Sequence, residues 1–408
     1  MNPMTDIKSK RHKGIRDGTD SIADDARSPL PLFHPSNPDP IIEQIRADCR
    51  EVSQARESMS RRRFLKGTVG VGFALGAFSH ISRPSIAQVR QPPLGGEPLE
   101  QKLTPVVEAK SEKVWDGDVL DESVVSEMLD KAMIKLTGRD TAKEAFKDFV
   151  LPNDVVGIKV NPLGGRELST HRIIVDKIID LLYSAGVLKN QIIIWDRFEN
   201  HLTAAGYEIN QTDKDVRIFA SDSRGVGYDD EVFYETEKDI KVRRENDSIK
   251  SRYSKIVTQE INVIINVPVM KHHAITGVSG CLKNLAFGSV DNTRRFHSIP
   301  LNCDPAISDI FAHNAIKDKL VLNIVDGLLG AFDGGPTYDP DGTWKYGGIF
   351  VSRDPVACDQ FILDTINEKR AEANREQVTR LAKYISSSWR AGLGTNDTDE
   401  MDYQEIKV

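Results

Sequence analysis

Short, nearly uninterrupted Val/Ile runs separated by helical stretches limit the folds open to this chain more than any other feature. The clearest are residues 155–161 (VVGIKVN), 192–195 (IIIW) and 261–269 (INVIINVPV). A weaker run at 216–220 lies before the last of these, making 261–269 the fourth in chain order, and a fifth and sixth follow at 320–325 and 348–351. Between the first two, residues 171–184 place Ile173, Ile174, Ile178, Leu181 and Leu182 at helical spacing, and Gly186 supplies a stop. A second helix is predicted from Asp354 to about Lys369. A strand open to water on one face alternates apolar with polar residues. A run that is apolar throughout is buried on both faces, as in a parallel sheet covered by helices. The expected fold is therefore α/β, a mostly parallel sheet flanked by helices, with the polar stretch 225–255 as a β-rich insertion. The acidic tail 392–408 is expected to fray.

The composition, 39% hydrophobic and 28% charged over 408 residues, is that of a globular protein with enough chain to bury a large core. No apolar run approaches the roughly 18 residues of a membrane span. Residues 60–66 (SRRRFLK) precede an apolar, glycine-rich stretch at 67–78 and the small-x-small exit Ser85-Ile86-Ala87. Basic start, weakly hydrophobic core and small exit residues together read as a twin-arginine export signal over 59–87. The expected location is periplasmic or secreted, with the twin-arginine translocase as transient partner. Residues 1–58, with Pro29, Pro31, Pro35, Pro38 and Pro40, have the composition of a disordered extension. Alternatively the start is mis-assigned, and translation begins at Met59 rather than Met1 or Met4. Residues 88–149 form a lead-in, 150–370 the α/β domain, and 371–408 a helix and acidic tail.

Removing residues 1–87, with 14 basic and 10 acidic residues, leaves 40 and 51, a net charge of −11. Phosphate neutralisation needs concentrated Lys and Arg, so no nucleic-acid partner is expected. Processing also removes Cys49 and leaves Cys281, Cys303 and Cys358 without C-x-x-C spacing. That excludes a disulfide framework and an in-chain cysteine-ligated iron–sulfur cluster. Three buried thiols are expected, with a Cys281–Cys303 bridge as the alternative.

The ends of the runs carry the functional reading. The first run ends in Lys159 and Asn161, the second in Asp196, the fourth in Lys271-His272-His273, and the fifth in Asp326. Carboxyl ends of parallel strands share one edge, where ligands bind. One polar pocket is therefore expected there. Residues 276–280 (TGVSG) lead into a helix holding Lys283 and Asn284, and small residues at a helix start leave N–H groups open to an anion. Residues 326–336 read as a glycine-rich loop with Asp326 and Asp333. The ligand-binding candidates are Lys159, Asn161, Gly277, Ser279, Lys283, Asn284 and Gly335. Lys271, His273, His297 and Asp326 are the catalytic candidates. The lysines would neutralise an anion, His273 or His297 would move a proton, and Asp326 or Asp196 would orient a histidine. The cofactor is unknown. A divalent metal would draw on His273, Asp326 and Asp333.

Residues 265–297 (INVPVMKHHAITGVSGCLKNLAFGSVDNTRRFH), 325–336 (VDGLLGAFDGGP) and 351–366 (VSRDPVACDQFILDTI) together resemble the family called domain of unknown function 362. Its pattern is met at Pro268, Lys271, His273, Lys283, Asn284, His297, Asp326, Gly335, Pro336, Asp354, Pro355 and Asp359. Residues 159–164 (KVNPLG) are similar to its opening segment. Many relatives carry ferredoxin-type cysteine clusters, and this chain departs from them in having none. The resemblance implies the fold family and leaves the activity open. The expectation is an exported, soluble enzyme or redox-associated factor acting on a small anionic ligand. The alternative is a non-catalytic periplasmic ligand-binding or assembly protein.

Overall fold

The computed structural model describes residues 103–236 and 248–408. The export segment, the stretch 1–58 and Cys49 lie outside the described residues, as do residues 237–247 of the insertion.

Among the described residues the main sheet has ten strands. They are β1 (Thr104–Lys110), β2 (Val156–Val160), β3 (Ile192–Asp196), β4 (Arg217–Ala220), β5 (Val263–Val267), β6 (Val269–His273), β7 (Gly277–Ser279), β8 (Leu320–Ala331), β9 (Thr343–Ser352) and β10 (Met401–Lys407). Their order is β10-β1-β9-β8-β5-β2-β3-β4, with β6 paired to β7 and β8. On that path only β9 runs antiparallel to its neighbours. The helices are α1 (Glu122–Thr137), α2 (Ala142–Phe146), α3 (Arg172–Ala185), α4 (Glu199–Ala204), α5 (Cys281–Gly288), α6 (Ala306–Phe311), α7 (Asn314–Lys317), α8 (Pro355–Glu372) and α9 (Lys383–Arg390). The fold is α/β with a mostly parallel sheet, and its helices cover both faces.

The side-chain alternation of the strands explains the two cores. Val156, Ile158 and Val160 of β2 join Ile192 and Ile194 of β3 under α1 and α3. Ile193 and Trp195 face the other way, into a core with α5, α6, α8 and α9. The helices begin and end on ordinary capping chemistry. Asp121 accepts the Ser123 and Val124 N–H groups at the start of α1, and Gly186 closes α3 at φ 107°. Asp354 caps α8, accepting Val356 N–H at 2.8 Å and Ala357 N–H at 3.0 Å, with Pro355 as the first helical residue. None of the described helices is long and apolar enough to cross a membrane.

Two expectations need correction. Residues 326–331 are not a loop, because β8 runs on to Ala331 with antiparallel β9 continuing the ladder beside it. The acidic tail is not frayed. Residues 401–407 add β10 to β1 in unbroken parallel register, and Tyr403 stacks on Phe361 with ring centroids 4.4 Å apart. The polar insertion is a hairpin of Tyr228–Glu235 with Lys250–Ser254.

The strand order fixes where a ligand can sit. From β2 the chain steps outward to β3 and β4, then returns to place β5 on the other side of β2. Connections therefore leave β2 and β5 in opposite directions, the topological position at which open α/β sheets have their ligand crevice, outside the carboxyl ends of the strands. Asn161 follows β2, and Lys271 lies in β6, which continues β5 past Pro268.

Candidate functional site

Two buried lysines meet at this edge in different surroundings. Lys159 lies on β2 beneath α5. Its ammonium donates to Val160 O at 2.7 Å and Asn284 Oδ1 at 3.1 Å, and it forms an ion pair with Asp196. All three N–H bonds are used. From Asn284 a chain of amides crosses the sheet. Asn284 Nδ2 donates to Asn266 Oδ1 at 2.8 Å, and Asn266 Nδ2 to Asn323 Oδ1 at 2.9 Å. Gly288 makes the room, since a Cβ there would lie 2.2 Å from Lys159 Cε. From sequence, Lys159 and Asn284 are expected to bind a ligand, and Asp196 to orient a histidine or hold a divalent metal. Instead they bond one another, as a strut joining β2, β3 and α5.

Lys271 is equally buried, and its acceptors are neutral. Its ammonium donates to Asn161 Oδ1 at 2.8 Å and, at 3.5 Å, to Leu168 O. Among the described residues no carboxylate lies within ion-pair distance of it. Burial, then the nearby Lys283 charge, bring its pKa down to about 7. The Lys271–Asn161 bond spans the two sides of the crevice. Asn161 is held in turn by Thr170, whose hydroxyl accepts the Asn161 N–H at 2.8 Å and donates to Val267 O at 2.7 Å.

Asp326 orients a histidine, but neither of those expected. His171, just before α3, meets Asp326 Oδ2 through its backbone N–H at 2.7 Å and its ring Nδ1 at 2.8 Å. In the sequence His171 marks only the start of a helix. The available hint was its place at the first helix start after a crevice strand. His273 and His297 do lie together, with ring centroids 5.8 Å apart, and are unsuited to moving protons near neutral pH. His273 Nδ1 accepts the Ile275 and Thr276 N–H groups at 3.2 Å, and burial drives its pKa well down. Burial and the Lys283 charge take His297 to about 3.

The helix start offers no open anion site. Asp359 fills it, accepting the Cys281 N–H and, at 3.2 Å, the Leu282 N–H. Burial raises the Asp359 pKa to about 7. Gly277 and Ser279 are strand residues of β7, buried against β6. Gly277 has φ +77°, and a Cβ on it would meet Val378 O at 2.8 Å. Gly335 passes so close to His272 that a Cβ would stand 2.0 Å from its carbonyl oxygen. At both glycines the backbone makes a close contact that a side chain would block. His273, Asp326 and Asp333 do not converge, because Asp333 pairs with Arg370 at 2.9 Å and Asp326 with His171. Among the described residues no three His, Cys, Asp or Glu side chains are grouped to hold a metal. Cys281, Cys303 and Cys358 are buried, and none of them is in a disulfide among the described residues.

A crystal structure of a Thermotoga maritima protein is similar at 12% identity, with a TM-score of 0.35. The match covers 68% of this chain, and the chain spans 60% of that one. No curated protein matches the sequence. The family model described as "Domain of unknown function (DUF362)" matches residues 156–364, from the start of β2 to within α8. That stretch contains the whole crevice, and the chain belongs to the DUF362 family.

Proposed function

We propose that the chain is an enzyme that binds a small anion at the carboxyl edge between β2 and β5, with Lys271 as the group that holds its charge. The observation that carries this reading is the bonding of Lys271, a fully buried ammonium whose acceptors among the described residues are neutral oxygens. Burying a charge without a counter-charge is costly, and a bound anion removes that cost. An amine that titrates at about 7 also changes charge near neutral pH, which suits acid–base work. The Lys159–Asp196 strut keeps β2 and β3 fixed beside it. Lys283, whose charge acts on Lys271, His273 and His297, adds to the attraction for an anion. The segment SRRRFLK and its small-residue exit support delivery through the twin-arginine route to the periplasm or beyond.

Calorimetric titration with sulfate and with pyruvate tests the reading, because both keep constant charge between pH 6 and 8.5. Affinity for at least one is expected to fall about tenfold or more across that range, as Lys271 loses its proton. It is expected to vanish in Lys271→Met. Binding that ignores pH and survives Lys271→Met would refute the site. The rival is a non-catalytic ligand-binding protein, which would retain the binding without ever turning over the natural ligand.

A further inference from the structure

His171 is held more firmly than a helix-start residue requires. Asp326 Oδ2 receives both its backbone N–H and its ring Nδ1. A carboxylate only accepts, so Nδ1 carries a proton and Nε2 is the ring's open position. No hydrogen bond among the described residues engages Nε2.

Asp326 is itself immobile. It is fully buried, its other oxygen accepts the Leu328 N–H at 3.1 Å, and its own N–H donates to Pro268 O at 2.8 Å. Trp115 stands edge-on to the imidazole, with centroids 6.1 Å apart and planes at 74°. The Trp115 indole N–H is tied to Leu328 O at 3.0 Å, so one short piece of β8 fixes both the carboxylate and the wall of the ring. Lys271 lies within electrostatic reach of the same carboxylate.

The contrast with His273 and His297 is chemical. His273 and His297 are kept neutral by their surroundings. At His171 burial works against the charge, but the Asp326 charge and hydrogen bond overcome it and raise the pKa. The ring also keeps 15% side-chain exposure, while Asp326 has none. Among the described residues Tyr207 lies within electrostatic reach of Asp326, Arg172 and Asp176, and its hydroxyl donates to Thr170 O at 3.2 Å.

We propose that His171 is the proton-transferring residue of this crevice, acting through Nε2 with Asp326 as its positioning residue, on an anion that bears an acidic C–H or O–H beside its charged group. The proposal rests on the reading of Lys271 as the anion's partner. The proton leaves the substrate for Nε2, the imidazolium is held by Asp326, and the same proton returns to the product, so no external reactant is needed.

The test is nitrogen-detected NMR of the processed protein labelled at histidine, with His171→Gln for assignment and sulfate and pyruvate as probes. His171 is expected to hold its neutral-form proton on Nδ1 and to titrate above 6.5, falling by about one unit or more in Asp326→Asn. Adding the bound probe is expected to shift its Nε2 resonance, and Lys271→Met to abolish the shift. Lys271-dependent probe binding that leaves His171 unmoved, or a ring titrating at or below 6.5, would overturn the proposal and spare the anion site. Absence of Lys271-dependent binding would refute the anion site, and the proposal with it.

Discussion

Lys159→Met is expected to lower the unfolding free energy by about 3–5 kcal/mol, the cost of removing one partner of a buried ion pair. Lys159 has 1% side-chain exposure and Asp196 10%, so water cannot replace the missing ammonium. The change strands a carboxylate together with Asn284 Oδ1 and Val160 O, each of which has lost a donor. Domains of this kind have about 5–15 kcal/mol in total, so roughly a fifth of the stability or more is at stake. Urea unfolding of the processed protein measures it. A loss below about 1 kcal/mol would mean that the strut contributes little.

Lys271→Met is expected to act in the opposite direction, although it removes the same group from an equally buried position. The folded amine titrates at about 7 against an ordinary 10.5. Between those values the unfolded chain binds the extra proton, so stability rises with pH across the window. The penalty is complete below pH 7 and gone above 10.5. Methionine fills nearly the same volume without a charge. Allowing about 1 kcal/mol for the lost bond to Asn161, the variant is expected to gain roughly 3 kcal/mol at pH 7, and the gain should fade as pH rises toward 10. The comparison is wild type against variant at each pH, so other titrating groups cancel. A variant less stable than wild type at pH 7 would count against an uncompensated charge.

The difference between these lysines was not legible in the sequence, although their meeting place was. Apolar runs at 156–160, 192–196 and 263–267 announce their own burial, and the polar residues that end them do share one edge. What each polar residue bonds is set by tertiary pairing. Asp196 lies 37 positions from Lys159, Asn284 lies 125 away, and Asp359 caps a helix start 78 positions before it. Local spacing carries no trace of these partners. His171 escaped notice for the same reason, since Asp326 lies 155 residues further on. The tail 401–407 reads as solvated because of its charges, yet an edge strand needs only one covered face.

The ionisation of Lys271 decides most directly between a site and an ordinary buried lysine. Carbon-13 labelling of the lysine Cε, with the signal assigned by loss in Lys271→Met, follows that amine from pH 5 to 11. A midpoint near 7 that moves upward when sulfate or pyruvate is added is the expected result. A midpoint near the ordinary 10.5, unmoved by either anion, would contradict it.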